Sequence, residues 1–140
     1  MSDALITNAD VIEYFRAHNG IVPSPYEPDP PPMVLVHTIG RTTGRDHITP
    51  MRAMPDGDSL YIFGTSHGST KDPDWVRNIA ANPNIEIEIK GERRKVHATL
   101  LDDPERTRIW TTWSDRAPTL RDTAARAARP IPVVKLAPRS

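Results

Sequence analysis

Met33-Val34-Leu35-Val36-His37-Thr38-Ile39-Gly40-Arg41-Thr42-Thr43-Gly44-Arg45, continued by Ile48-Thr49-Pro50-Met51, sets two apolar runs on either side of a polar loop. The first run, Met33–Ile39, reads as a buried strand, and Ile48–Met54 reads as a second. Between them, Gly40 and Gly44 let the backbone turn tightly and approach a ligand closely. Thr42 and Thr43 offer hydroxyl donors, and Arg41 and Arg45 offer planar forks that fit phosphate or carboxylate oxygens. The segment is therefore a loop on a β scaffold, and the place where an anionic ligand would be held.

Beyond it, Pro55-Asp56-Gly57-Asp58 is a turn, because proline presets φ and glycine accepts a positive one. Leu60–Gly64 is a third strand, so a three-stranded meander is expected with the basic loop at one end. A polar loop, Ser66–Asp72, leads to a helix over Pro73–Ala81, with Asp72 placed to cap it and Pro73 at its first position. Ile85, Ile87 and Ile89 alternate with Glu86, Glu88 and Lys90, the period of a half-buried strand. A turn at Gly91 returns the chain as Lys95–Leu101. Asp103-Pro104 opens a helix to about Trp113, Pro118–Ala128 forms another, and Ile131–Leu136 is a last strand whose prolines suit an edge or a strand start.

Ahead of the sheet, Val11, Ile12 and Phe15 share one side of a helix over Asp10–Ala17, stopped by Asn19-Gly20. Docking on the protein's own core is preferred over an outward contact with a membrane surface or partner. The prolines of 23–32 forbid helix and ladder and favour an extended connector. Residues 1–32 thus form a helix and connector, and 33–140 a mainly β unit with inserted helices. About six strands at short spacing favour a small barrel or strongly curved sheet over a doubly wound fold.

Composition narrows the function. The 140 residues suit one domain. Lys+Arg and Asp+Glu each number 18, so no basic excess supports general nucleic-acid binding. Any anion site must come from local clustering. The absence of cysteine removes disulfide, thiolate–metal and cysteine-nucleophile chemistry. No His-x-x-x-His pair or carboxylate cluster completes a metal site. No apolar run reaches the length of a membrane span, so a cytoplasmic protein is expected, with peripheral membrane contact through the first helix as the alternative. His37 and His97 read as structural residues in strands. His47 and His67 lie in the polar loops, where they can hydrogen-bond an anion. Adjacent Ser66 and His67 do not suggest hydrolysis, since neighbours in sequence rarely point at one another.

In order along the chain, Phe15-Arg16-Ala17-His18-Asn19-Gly20, Gly40-Arg41-Thr42-Thr43-Gly44, Thr49-Pro50-Met51, Pro55-Asp56-Gly57, Ser66-His67-Gly68, the run from Pro73-Asp74-Trp75 to Asn82-Pro83, and Ile131-Pro132-Val133-Val134 resemble the deazaflavin-dependent nitroreductase family of actinobacteria. No single block is specific; the ordered set is. The resemblance implies an FMN-binding split-barrel-like fold that binds coenzyme F420 and passes a hydride from its reduced ring to a small quinone, enone or nitro compound. It places the phosphate and acidic tail on Arg41, Thr42, Thr43, Gly44 and Arg45, near His47, His67 and Lys71. Thr49, Pro50 and Met51 would pack along the ring and ribityl chain. Gly64, Thr65, Ser66 and the helix start at Asp74 and Trp75 would enclose the ring, with Ser66 as the one catalytic donor.

The chain departs from the family pattern. Thr42 stands where a lysine is usual, and His47 and His67 stand where further basic residues are expected. The loop after Ser66 is one residue short, and the tyrosines of nitroimidazole-reducing members are absent before the last strand, so that activity is not carried over. Fewer fixed charges leave Arg45 and Lys71 to compensate. They also keep two alternatives open: a non-catalytic F420, flavin or apolar-ligand carrier on the same barrel, and an FMN-dependent oxidoreductase. A monomer or homodimer acting on a small molecule is expected.

Overall fold

The computed structural model describes residues 7–24, 29–65 and 68–139. Strands β1 (Met33–Ile39), β2 (Asp46–Arg52), β3 (Met54–Asp56), β4 (Ser59–Phe63), β5 (Asn84–Ile89), β6 (Glu92–Leu100) and β7 (Val133–Pro138) join in one sheet, ordered β2-β1-β5-β6-β7-β4-β3. Every neighbouring pair is antiparallel.

The order itself shows that the sheet is curled. Laid flat, six spacings of about 4.8 Å would put the edge strands about 29 Å apart. Yet the edges, β2 and β3, are joined through Ala53 alone, a step of about 7 Å at most. The sheet must therefore roll until its edges meet at Ala53, which is fully buried and donates its N–H to Pro32 O at 2.9 Å. This corrects the expected meander. The second strand divides at Ala53, its first part pairing with β1 and its second with β4. A rolled, mainly β sheet carrying helices is otherwise the architecture expected from the sequence.

Alternation along the strands sorts the core. Val34, Val36, Ile62, Ile85, Ile87, Ile89, Val134 and Leu136 point inward, where helix α2 (Asp74–Ala81) closes the barrel with Trp75, Val76 and Ile79. Outside, helices α3 (Glu105–Ser114) and α4 (Pro118–Ala127) cover Tyr61, Phe63 and Val133. Helix α1 (Asn8–Ala17) covers Leu35 with Phe15, which is buried. It is therefore docked on the protein's own core, as the spacing of Phe15 and Ile12 predicts. Thr7 caps it in a reciprocal box with Asp10. Its exit at Gly20 lies so close to the β5–β6 turn that a Cβ there would meet Lys90 Cα at 2.7 Å. Among the described residues, no helix is long and apolar enough to cross a membrane.

Two local expectations change. Pro73, not Asp72, is the cap residue of α2, and no side chain caps it; Asp72 is drawn instead to Arg129 at 2.8 Å. The last strand is central, between β6 and β4, so its prolines mark a start and not an edge.

Candidate functional site

The loop from Gly40 to Arg45 closes on itself. Gly44 N–H donates to Gly40 O at 2.8 Å, and Gly40 N–H donates to Arg45 O at 2.7 Å. Gly44 sits at φ +69°, where a side chain is strained, and open space surrounds its Cα. Gly40 is the opposite case: a Cβ there would lie 2.5 Å from Thr43 Oγ1 and 3.0 Å from His47 Nε2. The Thr43 hydroxyl accepts from Arg45 N–H at 3.2 Å, which leaves its own proton free for a further acceptor.

Helix α2 holds this loop. Asn78 is buried, and its Oδ1 accepts from both the backbone N–H (3.2 Å) and Nη1 (2.9 Å) of Arg41. Asp74 Oδ1 lies 3.6 Å from Arg41 Nη2. The Arg41 side chain is 34% exposed, so its remaining donors face outward from a fixed base. Arg45 and Thr42 are exposed.

The β2 residues divide between two faces. Thr49 lies opposite Val36, and Met51 lies opposite Val34 and packs on the inner core. Pro50 lies opposite Leu35, on the face shared with Ile48 and α1. Thr49 and Met51 are thus brought to one surface, and Pro50 is not. Opposite His47 stands Thr38, fully buried, whose hydroxyl has no hydrogen-bond partner among the described residues. Trp75 is only 8% exposed and belongs to the barrel core, so its ring is largely spent on packing. Gly64 is buried and pressed between Val76 and Pro132.

Ser66 and His67 lie outside the described residues, but the ends of their loop are firmly tied. Arg129, 12% exposed, donates to Thr65 O (3.1 Å), Ser69 O (3.0 Å) and Asp72 Oδ1 (2.8 Å). Lys71 is exposed. Both polar loops thus converge on α2, the first through Asn78 and the second by leading into the helix.

Asn78 and Arg129 were not among the residues singled out from the sequence. A signal for Asn78 exists: it is polar on the helix side that carries Trp75 and Ile79, and a buried amide needs a partner. Arg129 has no comparable local signal, since its three acceptors are about sixty residues away in sequence.

Two cavities, of about 450 and 410 Å³, lie away from this loop. One lies at the start of α3; the other lies between Pro30–Pro32, Arg52, Met54 and Trp113. Neither is lined by the basic loop, whose residues 41–47 are exposed and form a ledge at the surface.

An exposed loop of guanidinium and hydroxyl groups, on a rolled sheet closed by α2, has the chemistry to receive a phosphate or carboxylate. The model of the family F420H(2)-dependent quinone reductase matches residues 10–138, and the chain belongs to that family. It is 34% identical over 112 residues to an F420H(2)-dependent quinone reductase of Mycobacterium tuberculosis, covering 78% of this chain and 75% of that one. Among solved structures, an F420-H2-dependent reductase superposes with a TM-score of 0.65 at 23% identity, covering 74% of this chain and 92% of that one. An FAD-binding protein of Mesorhizobium loti superposes at 0.55 and 13% identity, covering 77% and 81%. These two likenesses concern the fold. Membership makes the chain an oxidoreductase whose cofactor is F420 and agrees with the deazaflavin resemblance seen in its ordered blocks.

Proposed function

We propose that the chain passes a hydride from reduced F420 to a small quinone, with the cofactor's phosphate and acidic tail on the ledge formed by Arg41, Thr43, Gly44 and Arg45. The observation that carries this reading is the Arg41–Asn78 tie. It preorganises a guanidinium at the start of the loop, so little ordering cost remains when an anion binds. The donor set fits the group: guanidinium, hydroxyl and backbone N–H groups for phosphate and carboxylate oxygens. Thr49 and Met51 share one face of β2 and are half-buried, a wall along which the ring and ribityl chain would pack.

When bound, the reduced deazaflavin supplies the hydride; a quinone that takes it up with one proton becomes a hydroquinone, and the proton comes from solvent. The protein's share is to hold, orient and exclude water. Ser66 is proposed as a donor to the ring or acceptor, and Thr65 and Asp72, tied by Arg129, fix the ends of its loop.

The test is oxidation of reduced F420 by menadione, followed by the return of the oxidised deazaflavin absorbance. Turnover that needs both protein and quinone supports the reading. Tight F420 binding without turnover would make the protein a carrier, and turnover with reduced FMN but not F420 would reassign the cofactor.

A further inference from the structure

We infer that Arg77, on α2, supplies the cation that the basic loop lacks at Thr42, so that the acidic tail is gripped between the loop and the helix. This rests on the F420 reading above. Asp74 Oδ1 lies 3.6 Å from Arg41 Nη2 and also 3.6 Å from Arg77 Nη1. The two guanidinium nitrogens are therefore no more than twice that distance apart and share one carboxylate oxygen as neighbour. Both side chains reach solvent, Arg41 at 34% and Arg77 at 55% exposure.

Two arginines and one aspartate leave a net positive cluster at the rim of the ledge, and Arg45 adds to it from the loop. Neither contact to Asp74 is short enough for a hydrogen bond. The guanidinium groups therefore keep most of their donors for an incoming carboxylate. Asp74 keeps the pair close while the site is empty and repels a bound anion. Its net effect on tail binding is unfavourable, whereas both arginines favour it. Arg41, Thr43 and Gly44 of the loop serve the phosphate, and Arg77, the more exposed arginine of the pair, is assigned to the glutamate end.

Fluorescence titrations of the full chain separate the possibilities. The ligands are oxidised F420 and the deazaflavin fragment that keeps the phosphate but lacks the glutamates. Arg77→Ala is expected to weaken F420 about three- to tenfold, since the pair is exposed, and to flatten the salt dependence. It should leave the truncated deazaflavin unchanged. Thr42→Lys added to Arg77→Ala should restore F420 affinity, and Asp74→Asn alone should raise it. If Arg77→Ala binds F420 like the wild type while Arg41→Ala does not, the inference is wrong and the F420 site stands. If the wild type fails to bind F420, the underlying reading fails first. If Arg77→Ala weakens both ligands equally, the residue acts through α2 and not through the tail.

Discussion

Asn78 Oδ1, buried on the inner side of α2, accepts two hydrogen bonds from Arg41, one from its backbone N–H and one from its guanidinium. One side chain therefore sets both the start of the basic loop and the direction of its first arginine. Asn78→Ala leaves the Arg41 N–H without its acceptor. A lost bond to a charged partner costs about 1.5–3 kcal/mol, which urea unfolding should register. F420 affinity should fall with it, because Arg41 is no longer preorganised. Unchanged affinity in a destabilised variant would separate the tie from the site.

Gly40→Ala tests how tightly the loop is built. The new methyl would lie 2.5 Å from Thr43 Oγ1 and 3.0 Å from His47 Nε2, so one of them must move. We expect a folded protein with weaker F420 binding, read by titration beside a thermal melt. Wild-type affinity would show that the positions of Thr43 and His47 do not matter to the ligand.

Arg129→Ala removes three bonds from the Thr65–Asp72 segment at once and leaves the Asp72 carboxylate without this partner. Asp72 is 40% exposed, so water offsets part of the loss, and a cost of about 1–3 kcal/mol is expected. If this loop bounds the reacting ring, kcat falls further than F420 affinity, and Arg129→Lys recovers part of it. Equal loss of both would mark a purely structural role.

Acid should act through Glu88. The hydrogen bond from Arg16, at 2.8 Å, holds its carboxyl below the usual carboxylate range; burial opposes this, and His37, at 2.6 Å, adds to the lowering. A folded-state value below the unfolded one means that the unfolded chain takes up the proton more readily. The contribution is present above the ordinary glutamate value, about 4.3, and is lost as pH falls through that value toward the folded one. Melting temperatures measured from pH 7 to 3 should fall more steeply for wild type than for Arg16→Ala. Parallel curves would show that the contact from α1 to β5 carries no linkage.

Much of the fold can be read locally. The Ile85, Ile87, Ile89 alternation marks β5 because a two-residue period has one physical meaning, a strand with one face buried. Likewise Phe15 and Ile12 mark the docked face of α1. The corner at Ala53 is different. Nothing in Arg52-Ala53-Met54 distinguishes a continuous strand from one that crosses between the two edges of a sheet, because closure depends on strands far away in sequence. The site divides in the same way. Gly40–Arg45 announces itself by residue type, whereas Arg129 matters through carbonyls near residue 65 that no local pattern connects to it. Trp75 shows both sides at once: it stands beside the polar loops in sequence, and its helix packs it in the core.

The central claim is that the Gly40–Arg45 ledge holds the anionic end of F420. Titration of the protein with oxidised F420 at low and high salt, beside Arg41→Ala, tests it most directly. Micromolar binding that weakens with salt is expected, and for Arg41→Ala a lower affinity with a flatter salt dependence. Wild-type binding no tighter than about 100 μM, several kcal/mol short of a cofactor site, or an Arg41→Ala affinity equal to the wild type, would contradict it.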